Sequence, residues 1–202
     1  YTGYVTNIYE GFKIKEAEGK VQVFDELSKF IEQDYKQQYA NNGYRGWLTE
    51  TAIPDDIFSR AAAFADTAIV TLTRYSGEGW DRTDFELFDH EVNMLDRVTD
   101  AFDKVVVLLN VGGTINLQYF QQDKIQGLVY SLQAGMEGGC AVADILCGDV
   151  NPSGKLSMTF PRAVGQCPLN YNYTNTGRPK TVPDDQFQNY VSSYLDCGNL
   201  PL

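Results

Sequence analysis

The chain is 202 residues long and carries 27 acidic against 16 basic side chains, a net charge of −11. That length fits one sizeable domain, and 43% hydrophobic with 21% charged residues excludes a disordered chain or a fibrous repeat. The acidic balance repels phosphates and no Lys/Arg cluster offers an exception, which excludes nucleic acid as a partner; no stretch approaches the ~20 apolar residues of a membrane span.

The chain opens on Tyr1-Thr2-Gly3-Tyr4, with no basic or apolar leader and no starting Met, as a piece of a longer protein would. Val5 to Ala17 reads as a helix, and Val21-Gln22-Val23-Phe24 as a short strand. Helical patterns follow over residues 25–39 and 56–65. Ala68 to Thr73 reads as a buried strand, and a third helix is expected over 89–103 with Asp89 as its N-cap. Val105 to Asn110 is apolar on both faces, as an inner parallel strand should be. Ile125 to Leu132 is a further strand, then a helix over 136–147 apolar enough to press onto a sheet. Asn151-Pro152-Ser153-Gly154 is turn chemistry leading into a strand from Leu156 to Phe160, stopped by Pro161.

Strands alternating with helices define an α/β class: a mostly parallel sheet flanked by helices on both faces, a three-layer sandwich with right-handed crossovers. Residues 1–202 are read as a single such domain. Residues 161–202, rich in Asn, Pro, Gly, Thr and Tyr, form a long irregular tail expected to pack on the domain or on something missing. A helical opening and an irregular close both suggest a fragment.

Ligands of open parallel sheets bind at the carboxyl ends of the strands. Three loops matter there. The first is Arg74-Tyr75-Ser76-Gly77-Glu78-Gly79-Trp80-Asp81-Arg82. Its Glu78 lies between two glycines, with an indole two residues on. A carboxylic acid beside an aromatic face suits glycoside chemistry, because a proton must reach the leaving oxygen while a flat surface packs on the sugar. An apolar wall also raises the carboxyl pKa towards the range of a general acid. Arg74 and Arg82 would oppose that, so they are expected to engage Asp81, Asp84 or Glu86 instead. The bland alternative is a solvated glutamate in a polar loop.

The other two loops are Val111-Gly112-Gly113-Thr114 and Gln133-Ala134-Gly135-Met136-Glu137-Gly138-Gly139. Neither matches a dinucleotide fingerprint nor carries a Walker lysine, so no nucleotide and no other cofactor is expected. Their glycines are read as close approach of helix to sheet, and Glu137 as a favourable charge at a helix N-terminus. Asp149 lies in a helix-to-strand connection, at the opposite edge of the sheet from Glu78, and is read as structural.

His90 is the single histidine and is read as a polar residue in a first helical turn; no Gly-x-Ser-x-Gly turn accompanies it. Cys140, Cys147, Cys167 and Cys197 fit no zinc spacing, so no metal is expected. Cys140 and Cys147 would lie roughly 10 Å apart along a helix, beyond disulfide reach. Cys167 and Cys197 could pair. Buried free thiols in a reducing, cytoplasmic compartment are the favoured reading.

The run Tyr75 to Arg82, then Lys104 to Gly112, Gln133-Ala134-Gly135, Ala143 to Gly148, Asn151 to Leu156 and Thr159-Phe160-Pro161 resembles, in that order, the C-terminal α/β-sandwich domain of family 3 glycoside hydrolases, the β-glucosidase family. The likeness runs from about Thr67 to Pro161; residues 1–60 are similar in layout only. The resemblance implies a retaining enzyme of two domains. A barrel domain of the same polypeptide supplies an aspartate nucleophile, and the sandwich supplies the general acid/base at the position of Glu78. Trp80 and Ser76 are the implied substrate-binding residues, Trp80 on the aglycone side. The implied substrate is a β-glucoside or short oligosaccharide with a terminal β-linked sugar. The chain departs from the pattern in lacking the barrel and the usual opening strand. It would be inactive alone, or could serve as a non-catalytic carbohydrate-binding or scaffold domain docked on a catalytic barrel.

Overall fold

The computed structural model describes residues 3–42, 49–74, 85–157 and 160. Within them the elements run α1 (Ile8–Ala17), α2 (Asp25–Asn42), α3 (Asp55–Phe64), β1 (Thr67–Arg74), α4 (Asp89–Ala101), β2 (Lys104–Val111), β3 (Gly127–Tyr130) and α5 (Gly138–Leu146), with one 3-10 turn at Gln118–Phe120. The three strands form one parallel sheet in the order β1-β2-β3. The α/β sandwich read from the alternation is therefore the architecture observed.

β2 is central because its β-branched run can be buried from both sides. Val105, Val107, Leu109 and Val111 fill one face, and Leu108 is fully buried on the other. β1 places Ala68, Val70, Leu72 and Arg74 in register with Val105, Val107, Leu109 and Val111, so these residues share one face of the sheet. Over that face lies α4. Glu91, Leu95, Val98 and Thr99 recur at helical spacing and are its buried residues. Leu95 is fully buried in the cluster with Leu72, Leu109 and Ile115. Burying one such leucine is worth about 1.5–3 kcal/mol.

α3 joins the same side through Phe58, which meets Phe102 edge-on with ring centroids 5.9 Å apart. Arg97 of α4 lies 3.9 Å over the Phe58 ring and reaches Asp55 at 2.7 Å, fixing the start of α3. α2 is linked to α3 by Arg60, whose Nε donates to Glu26 at 3.0 Å.

α1 begins at an Asn7 cap: its side chain accepts from the Glu10 N–H at 2.9 Å while the Asn7 N–H donates to the Glu10 carboxylate at 2.8 Å. The helix packs on α5, where Gly11 and Gly139 bring the two backbones together. Of the third loop's glycines, Gly139 therefore serves a helix–helix approach, where helix against sheet was expected. The same junction carries two backbone bonds, Thr6 N–H to Met136 O at 2.8 Å and Gly139 N–H to Thr6 O at 3.0 Å. Lys15 is 7% exposed and meets Asp144 at 2.5 Å and Asp149 at 2.8 Å.

Four expectations need correction. Residues 21–24 are an irregular connection. The Val23 N–H is taken by the Glu16 carboxylate at 2.9 Å, and Phe24 packs on Phe64 with centroids 5.4 Å apart. The alternation there serves two helices, not a ladder. Leu156, 58% exposed, and Ser157 are unpaired with the sheet, although Phe160 does dock edge-on against Tyr130 of β3 at 5.2 Å. The strand expected over 125–132 is confined to Gly127–Tyr130. The N-cap of α4 is Phe88, so Asp89 occupies the first helical position.

Candidate active-site rim

β1 and β2 end side by side, with Arg74 in register with Val111, and β3 leaves the sheet at Tyr130 beside Leu109. Three loops thus depart from one edge. Ser76, Glu78 and Trp80, with Asp81, Arg82 and Asp84, lie outside the described residues. What the structure brings together is the frame on which that first loop is mounted.

The frame is built around Arg74, 6% exposed although it closes a strand. Its guanidinium donates to both oxygens of Glu91, one of these bonds being 2.6 Å, and to the carbonyls of Thr73 at 3.1 Å and Glu86 at 3.3 Å. Glu91, 1% exposed, also accepts the Phe88 N–H at 2.8 Å, so one carboxylate closes the first turn of α4 and neutralises the arginine. The Arg74 carbon centre lies 4.3 Å over the Phe88 ring, and His90 stacks on Phe88 at 5.5 Å. His90 is an exposed residue of the first turn, as expected. For Arg74 the expectation was different. Among the described residues its carboxylate partner is Glu91, and from Glu86 it takes the backbone carbonyl; Asp81 and Asp84 lie outside them.

The second loop buttresses the return of the first. The Asn116 N–H donates to the Phe85 carbonyl at 2.8 Å, and its side-chain amide donates to the Glu86 carboxylate at 2.6 Å. Phe85 is buried, as is Ile115. In the third loop, Ser131 bonds the Leu109 carbonyl at 3.1 Å, and Leu132 adopts φ 57° while 49% exposed. A leucine in that region is uncommon and costs of order 1–3 kcal/mol. Glu137 is the N-cap residue of α5, and its carboxylate accepts from the Tyr4 hydroxyl.

Glu50 is a second residue the sequence did not single out. It is exposed by surface area, yet desolvation by the protein around its carboxyl end pushes it above the ordinary range, and the charge of Glu91 adds to this. His90 and Arg74 pull it back. Tyr35, 3.5 Å away, is in turn pushed up to about 12 by burial and by Glu50. The charges of Glu91, His90 and Arg74 are thus felt at a carboxyl in the segment before α3, a coupling that no periodicity in the sequence signals.

Cys140 and Cys147 are free, half-buried thiols; Cys167 and Cys197 lie outside the described residues. Asp149 is held by Lys15 and Lys20 behind the C-terminal end of α5, in keeping with a structural role. Among the described residues no group of three or more His, Cys, Asp or Glu is placed to hold a metal ion.

The chain matches known proteins along most of its length. The family described as glycosyl hydrolase family 3 C-terminal domain matches residues 2–194, and the chain belongs to that family. It is similar to beta-glucosidase A of Butyrivibrio fibrisolvens, 36% identical over 78% of this chain and 22% of that protein. It is also similar to a beta-xylosidase of Formosa agariphila, 33% identical over 75% of this chain and 21% of that protein. Among solved structures, a beta-glucosidase from Paenibacillus barengoltzii superposes with a TM-score of 0.74 at 33% identity, over 86% of this chain and 20% of that one. The chain spans about a fifth of the length of the relatives it matches.

Proposed function

We propose that residues 1–202 form the sandwich domain of a retaining glycoside hydrolase that releases terminal β-linked sugars, and that Glu78 is its general acid/base. The observation that carries this reading is the run Ser76-Gly77-Glu78-Gly79-Trp80 directly after β1, at the sheet edge where parallel α/β folds bind ligands, in a chain of this family. The nucleophile is an aspartate of a barrel domain in the same polypeptide, and the substrate lies between the two domains. Residues 161–202 would lie against the sandwich or the barrel.

The chemistry runs in two balanced steps. The barrel aspartate attacks the anomeric carbon, the glycosidic C–O bond breaks, and Glu78 gives its proton to the departing oxygen. Glu78, now ionised, takes a proton from water as that water attacks the glycosyl ester, which frees the sugar with retained configuration and restores both carboxyl groups. Retention requires the two carboxyls about 5–5.5 Å apart, so Glu78 has to project across the domain boundary. Trp80 would pack on the aglycone, and Ser76 would bond a sugar hydroxyl. Beta-glucosidases predominate among the relatives, which favours a glucoside, while the beta-xylosidase keeps the choice of sugar as a property to be measured.

The test is the leaving-group dependence of Glu78→Ala in the complete protein. Loss in kcat/KM should be heavy for alkyl glucosides and disaccharides and much smaller for activated aryl glucosides, whose leaving group needs no proton; kcat on the aryl glucosides falls as well, because the second step still needs Glu78 as base. Equal losses would remove Glu78 from the role. An assay of residues 1–202 alone should give no turnover, and strong turnover would overturn the two-domain account. The competing reading is a non-catalytic carbohydrate-binding or scaffold domain. It requires the complete protein to keep full activity after Glu78→Ala.

A further inference from the structure

We propose that the cavity between the start of α4 and the 116–119 turn is a binding site for a neutral pyranose, either a free sugar or one unit of an oligosaccharide. The cavity measures about 390 Å³ and is lined by Glu86, Leu87, Val92, Asn116, Gln118 and Tyr119. That volume lies in the range of small-molecule sites. One wall follows the end of β1 and leads into α4; the other follows the end of β2. Both therefore belong to connections that start from the carboxyl ends of the strands, where parallel sheets take their ligands. The proposal draws on this cavity and on the chain's family, and not on the role of Glu78.

The lining chemistry selects the ligand. Among the described lining residues Glu86 alone is charged, and its negative sign repels phosphates and carboxylates. A neutral molecule rich in hydroxyls suits the polar groups there. The Asn116 amide donates to the Glu86 carboxylate at 2.6 Å, and its oxygen accepts the Gln118 N–H at 2.8 Å. That amide is held at both ends before any ligand arrives, which lowers the ordering cost of binding. Carboxylate oxygens accept from hydroxyls, and Gln118, exposed at the head of the 3-10 turn, carries an amide that both donates and accepts. Leu87, Val92 and the Tyr119 ring supply apolar surface for the C–H face of a sugar. Tyr119 is fixed by its hydroxyl bond to Asp96 and by an edge contact with Phe120, centroids 5.9 Å apart. The larger cavity between α2 and α3, about 510 Å³, differs in kind: its Asp25 pairs with Lys13 and Lys29 and its Glu26 with Arg60, so its carboxylates are committed to ion pairs.

The experiment is hydrogen–deuterium exchange on the complete protein, read in peptides that contain residues 86–92 and 116–119. The probes are glucose and a thio-linked cellotriose, whose sulfur bridges resist hydrolysis. Each is supplied at about 10 mM, ten times a dissociation constant of about 1 mM, and exchange in both peptides should slow about tenfold. Slowing with glucose assigns the site to a single sugar; slowing with the thio-oligosaccharide alone assigns it to a unit of a longer chain. Gln118→Trp places an indole in the cavity and should abolish the effect. Gln118→Ala removes the amide and should weaken binding about fivefold. Because Gln118 is exposed, both variants should fold; if the indole variant does not, Gln118→Ala carries the test alone. No slowing with either probe overturns the proposal. So does slowing that persists unchanged in the folded variants, because its source would then be binding elsewhere. Neither probe is hydrolysed, so these outcomes are independent of the leaving-group test of Glu78→Ala, and the two readings fail separately.

Discussion

A methyl group on Gly11 would stand 2.2 Å from the carbonyl oxygen of Gly139, and one on Gly139 would stand 2.0 Å from the carbonyl oxygen of Asn7. The two residues are reciprocal: each vacates the space that the other helix's backbone fills. No rotamer change relieves such an overlap, because the obstructing atoms belong to the main chain.

Gly11→Ala and Gly139→Ala should therefore each destabilise the protein by about 3 kcal/mol, the upper end of the usual range for overpacking. Gly135, four residues before Gly139, has open space around it. Gly135→Ala should leave stability within about 0.5 kcal/mol of the parent. Urea midpoints of the three variants distinguish these outcomes.

The sheet–α4 interface gives a second expectation. Leu95 is fully buried against Leu72 and Leu109, so Leu95→Ala should cost about 3 kcal/mol through lost burial and a residual cavity. Leu156→Ala, at a position 58% exposed, should be close to neutral. Denaturant unfolding with an unchanged m-value would show that the loss belongs to the native state.

The charges behind α5 set the behaviour in acid. Lys15 and then Lys20 hold Asp149 below the usual carboxylate range, and Lys20 and then Lys15 do the same for Glu18. A carboxyl lowered on folding contributes stability that is complete above its unfolded value, about 4, and is lost as pH falls through the lowered native value. Stability should thus fall from about pH 4 downward, because the unfolded chain binds protons first. Asp149→Asn should flatten that fall, as urea midpoints taken between about pH 2 and 6 would show.

Burial pushes the Cys147 thiol upward, and Asp149 adds to the effect. The thiolate is the reactive form, so alkylation of Cys147 by iodoacetamide should be slow at neutral pH, and its rise with pH should lie above that of a free cysteine, about 8.5. Peptide mapping after a timed pulse reads this directly. An alkylation rate already high at pH 7 would contradict the raised thiol.

Much of the fold was legible because its signals are local. Val105 to Asn110 is apolar on both faces and reads as an inner strand, and the helix expected over 89–103 is α4, Asp89–Ala101. Val21 to Phe24 misled because alternation over four residues suits a connector that packs on two helices as well as it suits a strand. The N-cap of α4 shifted by one position because Glu91, not Asp89, supplies the side chain that closes the turn. Ser76, Glu78 and Trp80 stand out in the sequence as a motif and lie outside the described residues; what the structure adds is the frame at Arg74 beside them. That frame was not legible, since the partner of Arg74 lies 17 residues on and no spacing rule selects Glu91 over nearer acids.

The first helix of the chain finds its neighbour almost at the far end of the described structure: the Tyr4 hydroxyl bonds Glu137 across a separation of 133 positions. During synthesis α1 leaves the ribosome long before α5 exists. It must wait as an unpartnered segment, its glycine notch open, while the sheet between them is made. Contacts this remote in sequence repay their closure entropy last. The α1–α5 seam is accordingly expected to close late in folding, after the sheet that lies between the two helices in sequence.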